Sequence, residues 1–402
     1  MSNLLLLNDL YDILILTKNV KYGIMLSVLK GETKVTKKIT GYPSIDLPQS
    51  RDSKYFERKP IIPSIDMITI LKLLSRKNRE LPAIDCNELH ATYQQLIDDS
   101  HALALAYKEL GIRKGDIVTI SLPSNYQAIT SFLALNEIGA ITTFIDTYAS
   151  ETEVISYLNN YQSPVLINCD KTREQNEKIK KESHVRNIIT LNNKLSNNRD
   201  ISNDYKNNNS EEFLDFHTLG SLSKYQKDRF HLPNKGNDDS LILYTSGSTG
   251  QPKAVVLTNK NILSAQMYAG NTSHTENITG TKTMTCVPLR YPYGMVTSLL
   301  TSLLWGKEAI MTPNWDSRMV KYYFDKKPNI VFGSPAVLDL TMKFVPKGMD
   351  LSQISHFISG GDFLTVEHAS TAYDFFKKHN NTTIEVGNGC GNAETVSIGS
   401  TP

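Results

Sequence analysis

One stretch of the chain combines residue types that bind phosphate. Residues 244–253 read YTSGSTGQPK, and residues 246–253 lie between two apolar runs rich in β-branched residues, LILYT and AVVLT. Glycines let backbone N–H groups turn into one concavity, hydroxyl side chains add donors, and Lys253 supplies a compact positive charge. The flanking runs read as two strands. The sequence therefore predicts a phosphate-binding loop at the tip of a β-hairpin.

The main alternative for such a composition is the P-loop, a GxxxxGK[ST] segment that opens a helix. Here Gln251 and Pro252 separate Gly250 from Lys253, no Ser or Thr follows the lysine, and the next run is strand-like. An ordinary surface turn is the other alternative, but a turn needs only one or two special residues. A dedicated phosphate loop fits the segment better than either.

The composition limits the class of protein. The 402 residues suffice for two or three subdomains with a buried core. A net charge of +2 gives no indication of a nucleic acid or an acidic membrane as partner. The four cysteines lack metal-binding spacing, which is typical of reduced thiols in a cytoplasmic protein. The apolar N-terminal run lacks the features of a signal peptide, and no run is long enough to span a membrane.

Strand and helix patterns alternate through the middle of the chain. Residues 116–122 and 141–145 read as strands with a helical pattern between them at 124–138, and Ser150 and Glu153 fit a capping box. Three later strands each run into a glycine-containing loop: 329–335, 356–362 and 383–391. The alternation predicts an α/β fold with parallel-sheet layers covered by helices. Ligands of such sheets bind at the carboxyl ends of the strands.

The pattern divides the chain into an N-terminal extension, residues 1–65, and two related α/β subdomains, residues 66–236 and 237–402. Residues 192–212 are almost all polar or charged and predict a mobile surface loop in the first subdomain. The second subdomain carries the predicted phosphate loop. We expect its glycine-containing strand ends to face the same crevice as that loop.

Residues 244–261, YTSGSTGQPKAVVLTNKN, resemble the phosphate-binding motif of the adenylate-forming (AMP-binding) superfamily, YTSG[ST]TGxPKGVxxTHxN. This superfamily includes acyl-CoA synthetases, the adenylation domains of peptide synthetases, and luciferases. Its members use ATP to convert a carboxylate to an acyl-adenylate and usually pass the acyl group to a thiol. Ala254 and Asn259 depart from the pattern, which has glycine and histidine at these positions.

The resemblance implies a nucleotide site. Its phosphate contacts would come from Lys253 and from Thr245, Ser246, Gly247, Ser248, Thr249 and Gly250. The segment NGCGNAE resembles the pattern [NQ]xYGxTE and implies that Glu394, joined by Thr249, binds Mg²⁺. The implied adenine side comprises Gly360, Gly361, Asp362, Asn388, Gly389, Cys390, Gly391, Asn392 and Ala393. Cys390 and Ala393 replace an aromatic residue and a threonine. Loss of base stacking, worth about 1–3 kcal/mol, predicts weaker nucleotide binding.

Two further segments resemble the acyl pocket of the superfamily. PLRYPYGM, at 288–295, resembles the mouth of the pocket, and FGSPAVLDL, at 332–340, resembles its wall. The resemblance implies four acyl-pocket residues: Tyr291, Gly294, Gly333 and Ser334. Tyr291 is a candidate gate of the acyl channel, and simple packing is the alternative role. The scattered histidines do not pair with a nucleophile, so a Ser–His hydrolase has no support.

Members of the superfamily continue beyond the point that matches Pro402. They supply an aspartate for the ribose, an arginine, and a small C-terminal domain with a catalytic lysine, none of which can be matched here. We therefore expect these 402 residues alone to form adenylate slowly or not at all, and we expect a partner or a missing segment to cover the sheet edges.

The expected function is that of an acid–thiol ligase, present as its N-terminal portion. The implied substrates and cofactors are a small-molecule carboxylic acid (fatty, aromatic or amino acid), ATP, Mg²⁺ and CoA, with a carrier-protein thiol as the alternative acceptor. The alternative function is a nucleotide- or acyl-binding module without catalysis.

Overall fold

The structure, a computed structural model, describes residues 62–169, 171–191, 214–215, 234–245, 253–272, 280–313 and 315–396. The chain divides into two units, Met1–Pro63 and Ser64–Pro402, and all the helices and strands among the described residues belong to the second. The predicted polar loop at 192–212 and almost all of the predicted N-terminal extension lie outside the described residues.

A helix and a hairpin begin the second unit. Helix α1 (Met67–Leu74) is capped by Asp66, whose side chain accepts a hydrogen bond from the Thr69 N–H at 2.8 Å. A 3₁₀ turn leads to strands β1 (Pro82–Cys86) and β2 (Leu89–Thr92), which pair antiparallel. Helix α2 (Tyr93–Glu109) follows, and Thr92 and Gln95 form the capping box that begins it.

The next part of the chain alternates strand and helix as predicted. The elements are β3 (Ile117–Ser121), α3 (Tyr126–Ile138), β4 (Ile141–Phe144), α4 (Glu151–Asn160), β5 (Val165–Cys169), α5 (Arg173–Glu182) and β6 (Asn187–Leu191). The predicted capping box of Ser150 and Glu153 is confirmed at the start of α4. Gly139 ends α3 with φ 81°, a left-handed conformation that favours glycine.

The remaining elements complete two sheets. They are β7 (Leu214–Asp215), β8 (Asp239–Tyr244), β9 (Ala254–Thr258), α6 (Asn259–Thr272), β10 (Lys282–Thr285), a π-helix (Tyr293–Leu300), α7 (Thr301–Leu304), β11 (Glu308–Met311), α8 (Val320–Asp325), β12 (Ile330–Gly333), α9 (Pro335–Phe344), β13 (His356–Gly360), α10 (Val366–Lys378) and β14 (Glu385–Gly389).

Each sheet has seven strands. The first sheet has the order β7-β6-β5-β3-β4-β8-β9, and the second has the order β14-β13-β12-β10-β11-β1-β2. All pairs are parallel except β8–β9 and β1–β2, the antiparallel pair at one edge of each sheet. The predicted α/β fold with parallel-sheet layers is therefore confirmed, with one antiparallel edge pair added to each layer.

The strands are not sorted into sheets by the boundary predicted at residue 236. Strands β8 and β9 follow that boundary but belong to the first sheet, and β1 and β2 precede it but belong to the second. The three-part division of the chain stays a prediction. The exchange of strands means that each sheet needs both parts of the chain to be complete.

A buried network of asparagines joins several elements behind the β8–β9 hairpin. Asn136 of α3 donates from Nδ2 to Asn259 Oδ1 at 2.7 Å and to Ser240 Oγ at 2.8 Å, and its Oδ1 accepts from the Ile68 N–H. Asn234 donates from Nδ2 to the Asn136 carbonyl at 2.8 Å. Asn259 is only 2% exposed, so this residue, which replaces the histidine of the superfamily pattern, helps to anchor the start of α6.

Candidate functional site

The predicted hairpin around the phosphate motif is confirmed. Strands β8 and β9 pair antiparallel, with Tyr244 opposite Ala254. Beyond this pair the Thr245 N–H donates to the Lys253 carbonyl at 2.9 Å, and the Lys253 N–H donates to Thr245 Oγ1 at 3.0 Å. Lys253 is exposed at the end of the hairpin. The five candidate phosphate-binding residues between these two lie outside the described residues: Ser246, Gly247, Ser248, Thr249 and Gly250.

An aromatic cluster supports this end of the hairpin. The Tyr244 ring lies 4.9 Å from the ring of Tyr157 and 5.7 Å from that of Tyr161, centroid to centroid. The Thr143 hydroxyl lies 3.4 Å from the Tyr244 hydroxyl. Burial raises the pKa of Tyr244 well above its ordinary value, so the phenol stays neutral. This end of the hairpin thus packs against two aromatic side chains.

The candidate residues of the second sheet lie at the carboxyl ends of adjacent strands. Strand β12 ends at Gly333, which pairs with Ser359 of β13, and Gly360 pairs with Gly389 of β14. Strand β10, on the other side of β12, runs into the segment that carries Tyr291. Four predicted loops therefore follow four neighbouring strands. The hairpin of the phosphate motif belongs to the other sheet.

A tight turn follows β14 and carries the predicted metal ligand. The Thr395 N–H donates to Asn392 Oδ1 at 2.8 Å, and the Asn392 N–H donates to Thr395 Oγ1 at 3.3 Å. These bonds hold the backbone on both sides of Glu394, whose side chain is exposed, whereas Ala393 is buried. Cys390 is exposed at the start of the same loop.

The carboxylates available as Mg²⁺ ligands suit an ion that is bound jointly by the protein and by substrate phosphates. Within the described ranges there is no cluster of three or more His, Cys, Asp or Glu side chains that could hold a metal alone. Mg²⁺ is commonly bound by one or two carboxylates together with substrate phosphates and water. The exposed carboxylate of Glu394 fits that pattern. Asp362, two residues after β13, is also exposed, and its Oδ1 accepts from the Phe363 N–H at 2.7 Å.

The predicted acyl-pocket glycines occupy close contacts. A Cβ atom on Gly294 would lie 2.4 Å from the Pro288 carbonyl oxygen, so only glycine fits there. A Cβ atom on Gly333 would lie 2.7 Å from Val337 Cγ1. Ser334 is the partly exposed N-cap residue of α9, but its side chain makes no capping hydrogen bond. Both glycines therefore allow close packing next to the strand ends.

Tyr291 lies at the surface beside an arginine. The Tyr291 residue is 39% exposed, and the Arg290 guanidinium carbon lies 4.8 Å from the centroid of its ring. Arg290 Nη2 donates to the Tyr291 hydroxyl at 3.1 Å, and Nη1 lies 3.0 Å from Asp146 Oδ2. The ion pair joins the loop after β10 to the loop after β4, so it links the two sheets. The gating role of Tyr291 stays a prediction.

A cavity of about 220 Å³ lies between the carboxyl ends of the two sheets. Residues after strands of the first sheet line one side, among them Leu122 and Asp146, and residues after strands of the second sheet line the other, among them Leu289 and Thr312. The cavity is thus formed by both sheets, but Gly333, Gly360, Gly389 and Lys253 do not line it. That the glycine-containing strand ends share a crevice with the phosphate loop stays a prediction.

Tyr293 packs against Gly360, one of the candidate adenine-side residues, and was not singled out in the sequence. Its hydroxyl donates to the Ile358 carbonyl of β13 at 2.5 Å. Burial raises the pKa of Tyr293 above its ordinary value, so the phenol is neutral. The sequence does show a second aromatic residue, Tyr293, next to Gly294. It does not show which way the Tyr293 side chain points.

Comparison with known proteins identifies the class to which this fold and site belong. Residues 74–402 match the family model of the AMP-binding enzymes. Because the match covers most of the chain, the protein belongs to the AMP-binding enzyme family, and the resemblance described above is confirmed.

The relatives include both acid–thiol ligases and peptide synthetases. A long-chain-fatty-acid–CoA ligase of Bacillus subtilis is 26% identical over 293 residues, which cover 69% of this chain and 51% of the relative. Tyrocidine synthase 3 of Brevibacillus parabrevis is 26% identical over 336 residues, which cover 82% of this chain and 4% of the relative. The chain thus spans about half the length of the fatty-acid ligase.

Solved structures share the fold. The anthranilate CoA ligase AuaEII, in complex with anthranoyl-AMP, superposes with a TM-score of 0.71 at 18% identity, over 87% of this chain and 63% of the ligase. None of the helices in the described part of the chain has the length and apolar character needed to cross a membrane.

Proposed function

We propose that this protein uses ATP to activate a carboxylic acid as an acyl-adenylate and that the acyl group then passes to the thiol of CoA. The observation that carries the proposal is the hairpin closed by Thr245 and Lys253, in a chain of the AMP-binding family. The sequence between these two residues is rich in glycine and in hydroxyl side chains, which are suited to binding phosphate.

The proposed roles of the residues are those that the matching family motifs imply. Lys253 and residues 245–250 hold the β- and γ-phosphates while the substrate carboxylate attacks the α-phosphorus and pyrophosphate leaves. Gly360, Gly361 and Asp362 flank one side of the adenine, and residues 388–393 flank the other. The acid lies near Tyr291, Gly294, Gly333 and Ser334.

Magnesium is part of the proposal. Glu394 would hold the ion with the Thr249 hydroxyl, and the metal would neutralise charge on the phosphates when it is bound. The exposed carboxylate of Glu394, on a turn with fixed backbone, supports this role.

The choice of CoA rests on the named relatives. The Bacillus subtilis relative is a CoA ligase, whereas tyrocidine synthase 3 represents the alternative of a carrier-protein thiol. A cytoplasmic location belongs to the same proposal and is supported by the four cysteines, all of which are free.

The proposal is tested by ATP binding in the presence of Mg²⁺, measured by calorimetry on the intact chain and on Lys253→Ala. Loss of a charge-assisted contact, worth about 1.5–3 kcal/mol, predicts an affinity about 10- to 150-fold lower. Lys260→Ala is the matched control, because Lys260 is exposed at the start of α6, outside the proposed site. Equal ATP affinity in the intact chain and Lys253→Ala would contradict the assignment.

A further inference from the structure

The cavity between the two sheets has a buried interior and an exposed mouth. Its volume of about 220 Å³ leaves room for several water molecules. Leu122, Cys286 and Leu289 line the cavity and are almost completely buried. Asp146 and Arg290 line it as well, but their side chains are 43% and 31% exposed. These two charged side chains therefore lie where the cavity meets the solvent.

An ion pair spans this mouth. Arg290 Nη1, in the loop after β10, lies 3.0 Å from Asp146 Oδ2, in the loop after β4. The other carboxylate oxygen, Asp146 Oδ1, accepts a hydrogen bond from the Tyr148 N–H at 3.0 Å. The carboxylate is thus held in place by its own loop, and the arginine reaches it from a loop of the other sheet. The two loops can separate only if this ion pair breaks.

A second link joins the sheets inside the cavity wall. The Leu289 N–H donates to Ser124 Oγ at 3.1 Å, and both residues are buried. This bond connects the loop after β10 to the loop after β3. It is uncharged, whereas the ion pair at the mouth depends on charge and is partly solvated. An exposed ion pair changes an equilibrium constant by a factor of only about two to five. Such a pair holds two loops together but releases them readily.

We infer that the Asp146–Arg290 ion pair is a latch on the cavity between the sheets. The loops after β4 and β10 separate and close again, and the ion pair favours the closed state. Opening of this kind is a local event that leaves the rest of the fold intact. The inference concerns contact between the two sheets and does not rest on the proposed function. Cys286 reports the state of the latch, because its side chain lines the buried interior.

The test is the rate at which iodoacetamide modifies Cys286 in the folded, intact chain, measured by peptide mass spectrometry. Asp146→Asn keeps the acceptor Oδ1 and removes the charge, and Arg290→Gln removes the charge of the partner. Each variant should raise the rate about two- to fivefold. The variant with both changes should react no faster than the faster single variant, because the same ion pair is broken in all three.

A matched control breaks a different exposed ion pair. Arg173 Nε lies 2.7 Å from Glu177 Oε1 on α5, and neither of these two residues lines the cavity. Arg173→Gln should therefore leave the Cys286 rate unchanged. Cys169, buried in β5, is the internal control within each sample, because its modification requires the first sheet to open.

Salt provides a second measurement that needs no variant. At about 1 M salt the screening length is about 3 Å, so the ion pair is weakened. The Cys286 rate of the unchanged protein should rise toward that of Asp146→Asn, and the rate of Asp146→Asn should change little. Cys169 should stay protected in both proteins.

Several results would overturn the latch. One is a Cys286 rate in Asp146→Asn and Arg290→Gln equal to that of the intact chain. Another is a rise in the Cys169 rate by the same factor, because the whole fold would then be loosened. Effects that add in the double variant would show that the two side chains act separately. If a variant does not fold, the unchanged protein decides, and a Cys286 rate that does not rise with salt contradicts the inference.

Discussion

Thr245 and Lys253 close the β8–β9 hairpin with two hydrogen bonds between the same pair of residues. The Thr245 N–H donates to the Lys253 carbonyl at 2.9 Å, and the Lys253 N–H donates to the Thr245 hydroxyl oxygen at 3.0 Å. The hydroxyl of Thr245 therefore serves the hairpin, and the Lys253 side chain is presented from a fixed backbone. The candidate phosphate loop starts and ends at this pair.

Thr245→Ala should weaken ATP binding by about two- to tenfold, because one hydrogen bond has a net worth of about 0.5–1.5 kcal/mol. Thr245→Ser keeps the hydroxyl and should restore the affinity. Calorimetry with ATP and Mg²⁺ measures both variants. If Ser and Ala behave alike, the hydroxyl does not organise the loop.

Glu394→Gln should reduce ATP affinity by about tenfold, or about 1.4 kcal/mol, when Mg²⁺ is present. The affinity measured in a chelator should not change, because the carboxylate acts through the metal. Glu367→Gln, an exposed glutamate in the first turn of α10, is the matched control. An equal loss with and without Mg²⁺ would argue against a metal ligand at Glu394.

Asn259→Ala should lower the free energy of unfolding by about 1–3 kcal/mol, because it leaves the buried Asn136 Nδ2 with one partner fewer. Urea unfolding measures the change. Asn160→Ala, at an exposed position of α4, should stay within about 0.5 kcal/mol of the unchanged protein. If Asn259→Ala also changes the free energy of unfolding by less than about 0.5 kcal/mol, the asparagine network contributes little to stability.

The protein should lose stability in acid when the carboxylate of Glu137 becomes protonated. Burial opposes its ionisation, but hydrogen bonds from His101 and Lys72 outweigh burial and hold its pKa below the ordinary value. The carboxylate oxygen Oε1 lies 2.7 Å from Lys72 Nζ and 2.9 Å from His101 Nδ1. A depressed pKa contributes stability that is fully present above the unfolded-state value, about 4.3. That stability is lost as the pH falls through the lower folded-state pKa.

Urea unfolding of Glu137→Gln between about pH 3 and pH 6 measures this contribution. The variant should be less stable near pH 6 and should lose less stability on acidification. Asp66 acts in the opposite direction, because burial and, to a smaller extent, the charge of Glu137 raise its pKa. Glu137→Gln removes that smaller contribution as well. Glu177→Gln, on exposed α5, is the control. If the free energy of unfolding falls equally steeply with decreasing pH in Glu137→Gln and in the unchanged protein, Glu137 is not the source of the acid sensitivity.

The elements of the fold could be predicted where the signal is local. The run of β-branched residues on either side of 246–252 predicted the hairpin, and the Ser150 capping box marked the start of α4, because both depend on neighbours in the sequence. The composition of each sheet could not be predicted. Strand β1 pairs with β11, more than 200 residues later, and no local pattern specifies that partner.

The site shows the same division. The sequence pattern predicted that Gly333 and Gly360 lie near each other, because each follows a parallel strand and the carboxyl ends of parallel strands meet at one edge of the sheet. The role of Asn259 was not predictable, because its partner Asn136 is 123 residues away in the sequence. Tyr293 was missed for a related reason. The direction of its side chain and its contact with Gly360 depend on the fold, and neither follows from the residue type.

Binding of an acyl sulfamoyl adenosine, measured by calorimetry against AMP, tests the central claim most directly. An enzyme that forms an acyl-adenylate binds such an intermediate mimic far more tightly than its parts, and we predict that the best-bound member of a set with different acyl groups has an affinity at least about 100-fold above that of AMP. Lys253→Ala should still bind the mimic, which lacks the β- and γ-phosphates, while its ATP affinity falls. A mimic that binds no better than AMP would contradict acid activation by this protein.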